Sequence, residues 1–361
     1  MSQRLKKMRS VLAKQGLDAL LVRTFEGDSN NVYYLSGFSG SAAVLVITKK
    51  KAFIVTDGRY YMRAQKEAPE FKLVKVKRGS RLTEHINEAL TMAGLGKTSK
   101  VGFESDHLSV HFAKTWCKEI KAKLVPTVHL VERFRQCKDS CESELLTLAC
   151  KVTSRVFREV APLIKAGMTE AEVAFAIDMR LRKHGASGNS FSTIVASGPN
   201  SAMPHYATGQ RKLKAGEPVI LDFGGVFPGG YCSDLTRTIF VPGKKPQAEL
   251  VKIYKIVLSA NKAARKALKP GITWKQYDKV ARDYIEQHGY AKQFTHGLGH
   301  SLGLAAHDPY DYEHDPFQEG AVVTDEPGIY CEGLGGVRIE DDLVVTADGA
   351  ERLTSAPYLR V

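Results

Sequence analysis

The chain has 361 residues, 43% of them hydrophobic, and a formal net charge of +13. That length favours two domains, and that apolar fraction excludes a disordered chain. No apolar run reaches membrane-spanning length, and Asp18 breaks the apolar stretch from Leu17 to Val22 with no small-residue cleavage site after it. The expectation is therefore a cytoplasmic protein with no membrane segment.

The charge is uneven. Met1 to Cys137 holds 25 Lys and Arg against 12 Asp and Glu, whereas the remainder is balanced at 27 against 27. This sets a domain boundary after 137, giving units 1–137 and 138–361. A basic surface can serve nucleic acid, but no aromatic stacking motif accompanies it, so a solvated lysine-rich surface is expected and nucleic acid is not. The six cysteines form no Cys-x-x-Cys pair, and Cys137 and Cys141 have no nearby histidine to complete a zinc site. Reduced thiols are expected.

Taken in order, Leu5, Met8 and Leu12 predict an amphipathic first helix that stops at Gly16. Ala19 to Val22 predicts a strand, and Val32 to Gly40 a turn-rich aromatic segment. Ala43 to Ile47 and Ala52 to Thr56 predict strands joined by a turn at Lys49 to Lys51. Helix-like and strand-like stretches alternate to Phe134, as in an α/β layer domain. Lys138 to Glu144 reads as a link in which Asp139 or Ser140 caps a helix running to Ile164.

A repeat follows. Lys165-Ala-Gly-Met-Thr169 matches Lys269-Pro-Gly-Ile-Thr273, and His184-Gly185 matches His288-Gly289, all at an offset of 104. At the same offset Gly216 maps to Gly320, Val219 to Val323, and Asp222 to Glu326. A fixed-period repeat implies related units packed together. A pseudo-twofold axis would bring their carboxylates to one centre.

Each copy ends in an acidic hairpin. The first runs through Asp222, turns at Phe227-Pro-Gly-Gly230 and returns through Asp234. The second runs through Glu326, turns at Glu332 to Gly336 and returns through Glu340. Between them lies His300. Residues facing each other on paired strands come within about 5 Å, so Asp222 with Asp234, and Glu326 with Glu340, are expected to share a face. Four crowded carboxylates repel unless a cation is present. Two divalent ions about 3.5–4 Å apart satisfy them and acidify water to a hydroxide that can attack an amide. Oxygen-rich ligation with one imidazole favours Mn²⁺, Fe²⁺ or Co²⁺ over a structural zinc. His205, His296 and His307 are candidates for binding the substrate and the oxyanion.

The region from about residue 140 onward resembles the metallopeptidase family of aminopeptidase P, prolidase and methionine aminopeptidase, whose fold is called pita-bread. The whole chain resembles the two-domain aminopeptidase P/prolidase branch. The resemblance implies an α/β (α+β) architecture: a creatinase-like N-terminal α/β domain at 1–137, then a pita-bread catalytic domain at 138–361 with a pseudo-twofold repeat. It implies that Asp222, Asp234, His300, Glu326 and Glu340 hold two metal ions, Mn²⁺ first, with Co²⁺, Fe²⁺ and Zn²⁺ as alternatives. It further implies that Glu326 shuttles a proton, that His205, His296 and His307 bind substrate and intermediate, and that Arg338 sits beside the last ligand. The implied activity is cleavage of the Xaa-Pro bond at a peptide N-terminus, usually by a homodimer.

Three departures stand out. The Asp222 to Asp234 spacing is one residue longer than usual in the family, which we place at Pro228-Gly-Gly230. Ser301 replaces a glycine common after the ligand histidine. The arginine that prolidases often carry shortly after the position of His307 is missing from His307-Asp-Pro-Tyr-Asp-Tyr312. The last point favours an Xaa-Pro aminopeptidase over an Xaa-Pro dipeptidase. A non-catalytic binding module and a metal-free creatine hydrolase fit less well, because all five acidic and imidazole positions are filled.

Overall fold

A computed structural model describes residues 2–27, 30–309 and 315–360. Tyr310 to Tyr312, the end of the segment read after His307, lie outside the described residues. The chain divides into two compact units, Met1–Phe134 and Arg135–Val361.

The first unit is built on a six-stranded sheet. In spatial order its strands are Lys72–Lys75, Ala52–Thr56, Ala42–Thr48, Ala19–Phe25, Lys100–Glu104 and Lys123–Thr127. The turn at Lys49 to Lys51 forms as read, and the Thr48 hydroxyl accepts from the Lys50 and Lys51 backbone N–H groups. The aromatic segment differs from the reading, because Asn31–Ser36 is a helix. Val32, Tyr34 and Leu35 are buried, and Gly37 closes the helix at φ 78°, a left-handed conformation that suits glycine.

This unit also buries two acids. Asn31 Nδ2 donates to Glu104 Oε1 at 2.6 Å and to Glu132 Oε1 at 2.5 Å, while His107 Nε2 meets Glu132 Oε1 at 2.8 Å. Burial and the Glu132 charge push Glu104 up to about 8. Burial works in the same direction on Glu132, yet the hydrogen bonds from His107 and Asn31 hold it down to about 2. One proton and one amide thus settle the pair.

In the second unit the repeat is structural. Helix Ser140–Val160 corresponds to Ala248–Ala267, helix Glu170–Lys183 to Trp274–Gln287, and strand Pro218–Asp222 to Val322–Asp325. Thr169 and Thr273 close the same capping box, with Glu172 and Gln276 reaching back to the cap. Single hydrogen bonds repeat as well. Gly167 N–H donates to Leu213 O at 2.9 Å, and Gly271 N–H to Phe317 O at 2.8 Å. Each half has its own apolar core, around Phe157, Ile177 and Leu221 in the first and Tyr254, Ile285 and Val323 in the second. The halves meet where a residue touches its own counterpart. Thr236 Oγ1 donates to Glu340 Oε2 at 2.8 Å, and Arg237 Nη2 to Asp341 Oδ1 at 2.7 Å. Contacts of this kind mark the pseudo-twofold axis that relates the two halves.

At the start of this unit Asp139, rather than Ser140, is the cap, in a box with Glu142. The helix ends at Val160 and tightens into a 3₁₀ turn, Ala161–Leu163, where Pro162 cannot donate its nitrogen.

Candidate metal centre

The first hairpin pairs Pro218–Asp222 with Thr236–Phe240, and turns at Pro228–Gly230. Its register corrects one expectation. Asp222 faces Thr236, not Asp234. Asp234 lies two positions further along, diagonal to Asp222, because the strands stay paired past Asp222, with Ser233 N–H donating to Gly225 O at 3.0 Å. An even spacing keeps both acids on one face, as period-2 alternation requires. In the second hairpin Asp325 pairs with Asp341 and Gly328 with Arg338, and extending that register sets Glu326 across from Glu340.

His300 reaches the centre from a third segment. Residues 298–301 run antiparallel to 323–326: Ser301 bridges Val323, Thr324 N–H donates to His300 O at 2.8 Å, and Glu326 N–H to Leu298 O at 2.8 Å. The approach is close, since a Cβ on Gly299 would sit 2.3 Å from Thr324 O. The Ser301 hydroxyl donates to the main-chain carbonyl of Val322 at 3.4 Å.

All nine residues named from the sequence line one cavity of about 680 Å³: His205, Asp222, Asp234, His296, His300, His307, Glu326, Arg338 and Glu340. Ligand atoms of Asp234, His300 and Glu340 lie within 4.8 Å of one another, and all three residues are buried. His300 Nε2 is 3.3 Å from Glu326 Oε1 and 3.7 Å from Asp234 Oδ2. Arg338 Nη2 holds Asp222 Oδ2 at 2.5 Å.

The electrostatics call for a cation. Burial, then the Glu340 and Asp222 charges, push Asp234 well above the carboxylate range. Burial, then Glu326 and Asp222, do the same to Glu340. Burial pushes Glu326 up to about 7 despite Arg338 nearby. Asp234 Oδ1 is buried with no hydrogen-bond partner. Burial holds the His300 imidazole below its usual range, so it is neutral and can donate a lone pair. Crowded carboxylate oxygens, an unpartnered one among them, with a neutral imidazole are a donor set that fits divalent ions.

The sequence reading missed the groups that hold these donors. Thr236 Oγ1 donates to Glu340 and accepts from Arg338 Nε at 3.3 Å. Thr324 Oγ1 donates to Glu326 Oε1 at 3.1 Å. Asp342, behind the site, accepts from the Asp234 backbone N–H at 3.2 Å and from the Cys150 thiol at 3.1 Å. Tyr330 is the main omission. Its hydroxyl accepts from Arg338 Nη1 at 2.9 Å and meets His296 Nε2 at 2.8 Å. His296 Nδ1 lies 2.7 Å from Gly297 O, a carbonyl that can only accept. The proton of His296 is therefore on Nδ1, and Nε2 accepts from Tyr330. Burial takes His296 down to about 4, consistent with a neutral ring. The one available signal was the offset of 104, which makes Thr236 the counterpart of Glu340. Tyr330 had none.

His307 stacks on His300, with ring centroids 3.8 Å apart and planes at 14°. The cavity is also lined by Phe191, Ile194 and Tyr206. Tyr206 is held by Glu170, a fully buried acid that also accepts from Ser197 and Asn200.

The sequence model of metallopeptidase family M24 matches residues 144–347, and that of the creatinase/prolidase N-terminal domain matches residues 4–137. An Xaa-Pro dipeptidase of Pyrococcus furiosus is 33% identical over 360 residues, 98% of each chain. Among solved structures, an Xaa-Pro dipeptidase from Bacillus anthracis superposes with a TM-score of 0.92 at 35% identity, covering 100% of this chain and 99% of that one. An X-Pro aminopeptidase from Thermotoga maritima gives 0.87 at 33% identity, covering 95% and 97%.

Proposed function

We propose that this chain, which belongs to metallopeptidase family M24 and is therefore a hydrolase, removes the first residue from peptides whose second residue is proline. The observation that carries this is convergence. Donors of Asp234, His300 and Glu340 cluster in a cavity that the other sequence-named residues also line. A cavity of about 680 Å³ suits a short peptide. In our assignment residues 138–361 form the catalytic domain and 1–137 an accessory domain.

Asp222, Asp234, His300, Glu326 and Glu340 would hold two divalent ions, with Mn²⁺ ahead of Co²⁺, Fe²⁺ and Zn²⁺. When bound, such ions supply Lewis acidity and lower the pKa of water. The protein's own groups do the rest. Glu326 takes the proton of the attacking water and delivers it to the proline nitrogen, which leaves as an amine. His205 and His307 bind the scissile carbonyl as it becomes an oxyanion. His296, with its Nε2 engaged by Tyr330, orients the wall of the site. Arg338 fixes Asp222 and Tyr330 together. Phe191, Ile194 and Tyr206 offer an apolar wall for the pyrrolidine ring.

Peptide length is the finer question. Among the described residues that line the cavity, Arg338 is the sole guanidinium or ammonium, and Asp222, Thr236, Tyr330 and the Pro204 carbonyl engage it. No spare cation there receives a dipeptide carboxylate, which favours an Xaa-Pro aminopeptidase. The second reading, an Xaa-Pro dipeptidase, is favoured by the relatives that carry this name. Metal analysis with a length series under Mn²⁺, Co²⁺ and Zn²⁺ separates them. Faster cleavage of Xaa-Pro-Yaa than of Xaa-Pro is expected; strong preference for the dipeptide selects the second reading, and no cleavage with any metal removes both. The resemblance also carries a homodimer, which sedimentation of the purified protein tests.

A further inference from the structure

Asp308 follows His307 directly and is 2% exposed. Its carboxylate is gripped by two cations from the segment that opens the second unit. Arg135 Nη2 bonds Oδ1, and Lys138 Nζ lies 3.5 Å from Oδ2. All three side chains are almost completely enclosed, at 4% for Arg135 and 1% each for Lys138 and Asp308. Oδ1 also accepts from the Ala305 backbone N–H at 3.2 Å, and the Asp308 N–H donates to Ser301 O at 2.8 Å. Ser301 is the residue after His300. The packing is tight enough that a Cβ on Gly303 would sit 2.5 Å from Asp308 Oδ2. The Gly303 carbonyl accepts from Cys232 N–H at 2.8 Å, two residues before Asp234.

None of Arg135, Lys138 and Asp308 lines the cavity. His307 does, and it is exposed, with Ala305 and Ala306 before it only half-buried. Its ring stacks on that of His300. Its main chain is anchored from the next residue, where the Asp308 N–H bonds Ser301 O and the Asp308 carboxylate is clamped. A buried ion cluster is a poor device for stability alone, since apolar side chains of similar volume serve as well or better.

We propose that Asp308, clamped by Arg135 and Lys138, is a positioning residue that holds the His307 ring face to face with His300, and that it affects hydrolysis only through His307. This rests on the reading of His307 as a substrate-binding group. The geometry is of the kind in which a small misplacement is felt at the reacting atoms.

The test is a double-mutant cycle on the full-length enzyme with an Xaa-Pro-Yaa tripeptide, measuring kcat, KM, bound metal and thermal midpoint. Asp308→Asn should lower kcat by roughly 10–100-fold with KM and metal content little changed. In a His307→Ala background the same substitution should cost less than about twofold. Multiplying effects in the cycle, loss of metal, or a lowered midpoint with unchanged kcat each overturn the proposal. If Asp308→Asn fails to fold, Lys138→Met, which removes the longer contact, carries the same cycle. A His307→Ala enzyme with normal kcat sinks the role of His307 and this proposal together. If the wild type cleaves no such peptide, the proposed function fails on its own, and a crystal structure of Asp308→Asn still decides the positioning claim. A His307 ring that stays stacked on His300 refutes it, and a displaced ring supports it.

Discussion

The two halves of the second unit share a backbone plan and place different chemistry on it. At equivalent positions the first half carries Asp222, Asp234 and Thr236 where the second carries Glu326, Arg338 and Glu340. His300 has Ala196 as its counterpart. One half thus offers two carboxylates and a hydroxyl, and the other two carboxylates, a guanidinium and an imidazole. The difference teaches that the repeat supplies a scaffold and an axis, while the asymmetry supplies the site. Thr236 against Glu340 shows this at one contact. Two glutamates there would repel, whereas a hydroxyl donates to the carboxylate that remains.

The largest expected effect tests whether both halves are required. Asp234→Asn removes a donor from the first half and His300→Ala one from the second. Each should abolish binding of Mn²⁺ or Co²⁺ and take peptide cleavage to background, as read by metal analysis and a peptide assay. Retained metal in either variant would mean that one half binds it alone.

Next comes the seam between halves. Arg237 and Asp341 are counterparts, buried and 2.7 Å apart, and Arg237 also donates to the Ala356 and Pro357 carbonyls of the C-terminal segment. Arg237→Met leaves Asp341 buried without that partner, which should cost about 3–5 kcal/mol in denaturant unfolding. A change below about 1 kcal/mol would show that the axis is held by the apolar cores instead.

The first unit is the comparison for buried acids, since side chains of Asn31 and His107 partner Glu104 and Glu132 there. Glu104, raised from near 4.5 to about 8, keeps a proton in the fold that the unfolded chain releases. Its contribution is fully present below pH 4.5 and is lost as pH rises through 8. Glu132, held near 2, works the other way, its contribution being lost as pH falls below 4.5 towards 2. Glu104→Gln should flatten the fall in thermal midpoint between pH 5 and 9 and leave the acid limb in place. An unchanged alkaline limb refutes this assignment.

The smallest effect measures how alike the halves are. Thr169→Ala and Thr273→Ala each break the same capping box. Each should cost about 1 kcal/mol, by chemical denaturation. Costs differing by more than about twofold would show that the equivalent helices are not equally supported.

Much of the fold was legible because its signals are local. Gly167 and Gly271, Thr169 and Thr273, and Gly216 and Gly320 punctuate the same unit twice, and the structure gives each pair the same conformation. The helix at Asn31–Ser36 departs from the turn-rich expectation because Tyr33, Tyr34 and the nearby glycines carry little local helical preference. Tertiary burial of Val32 and Leu35 supplied what that preference lacked. In the site, the donor types stood out because buried carboxylates after apolar strands need an explanation. Their pairing did not. Asp222 faces Thr236 because the register is set by the turn at Pro228–Gly230 and by pairing beyond it.

The sequence by itself determined the two-unit chain, the repeat at 104, and the set of acids and histidines that share one cavity. These follow from periodicity, turn chemistry and the cost of burying charge, all of which are written locally. Only the tertiary structure decided which groups touch. It decided that Arg338 joins Asp222 to Tyr330, that the Gly297 carbonyl fixes the proton of His296 on Nδ1 and leaves Nε2 to Tyr330, and that Arg135 and Lys138 meet at Asp308. Those contacts join residues as far apart in the chain as 135 and 308, and they depend on strand register and close packing that no local pattern encodes.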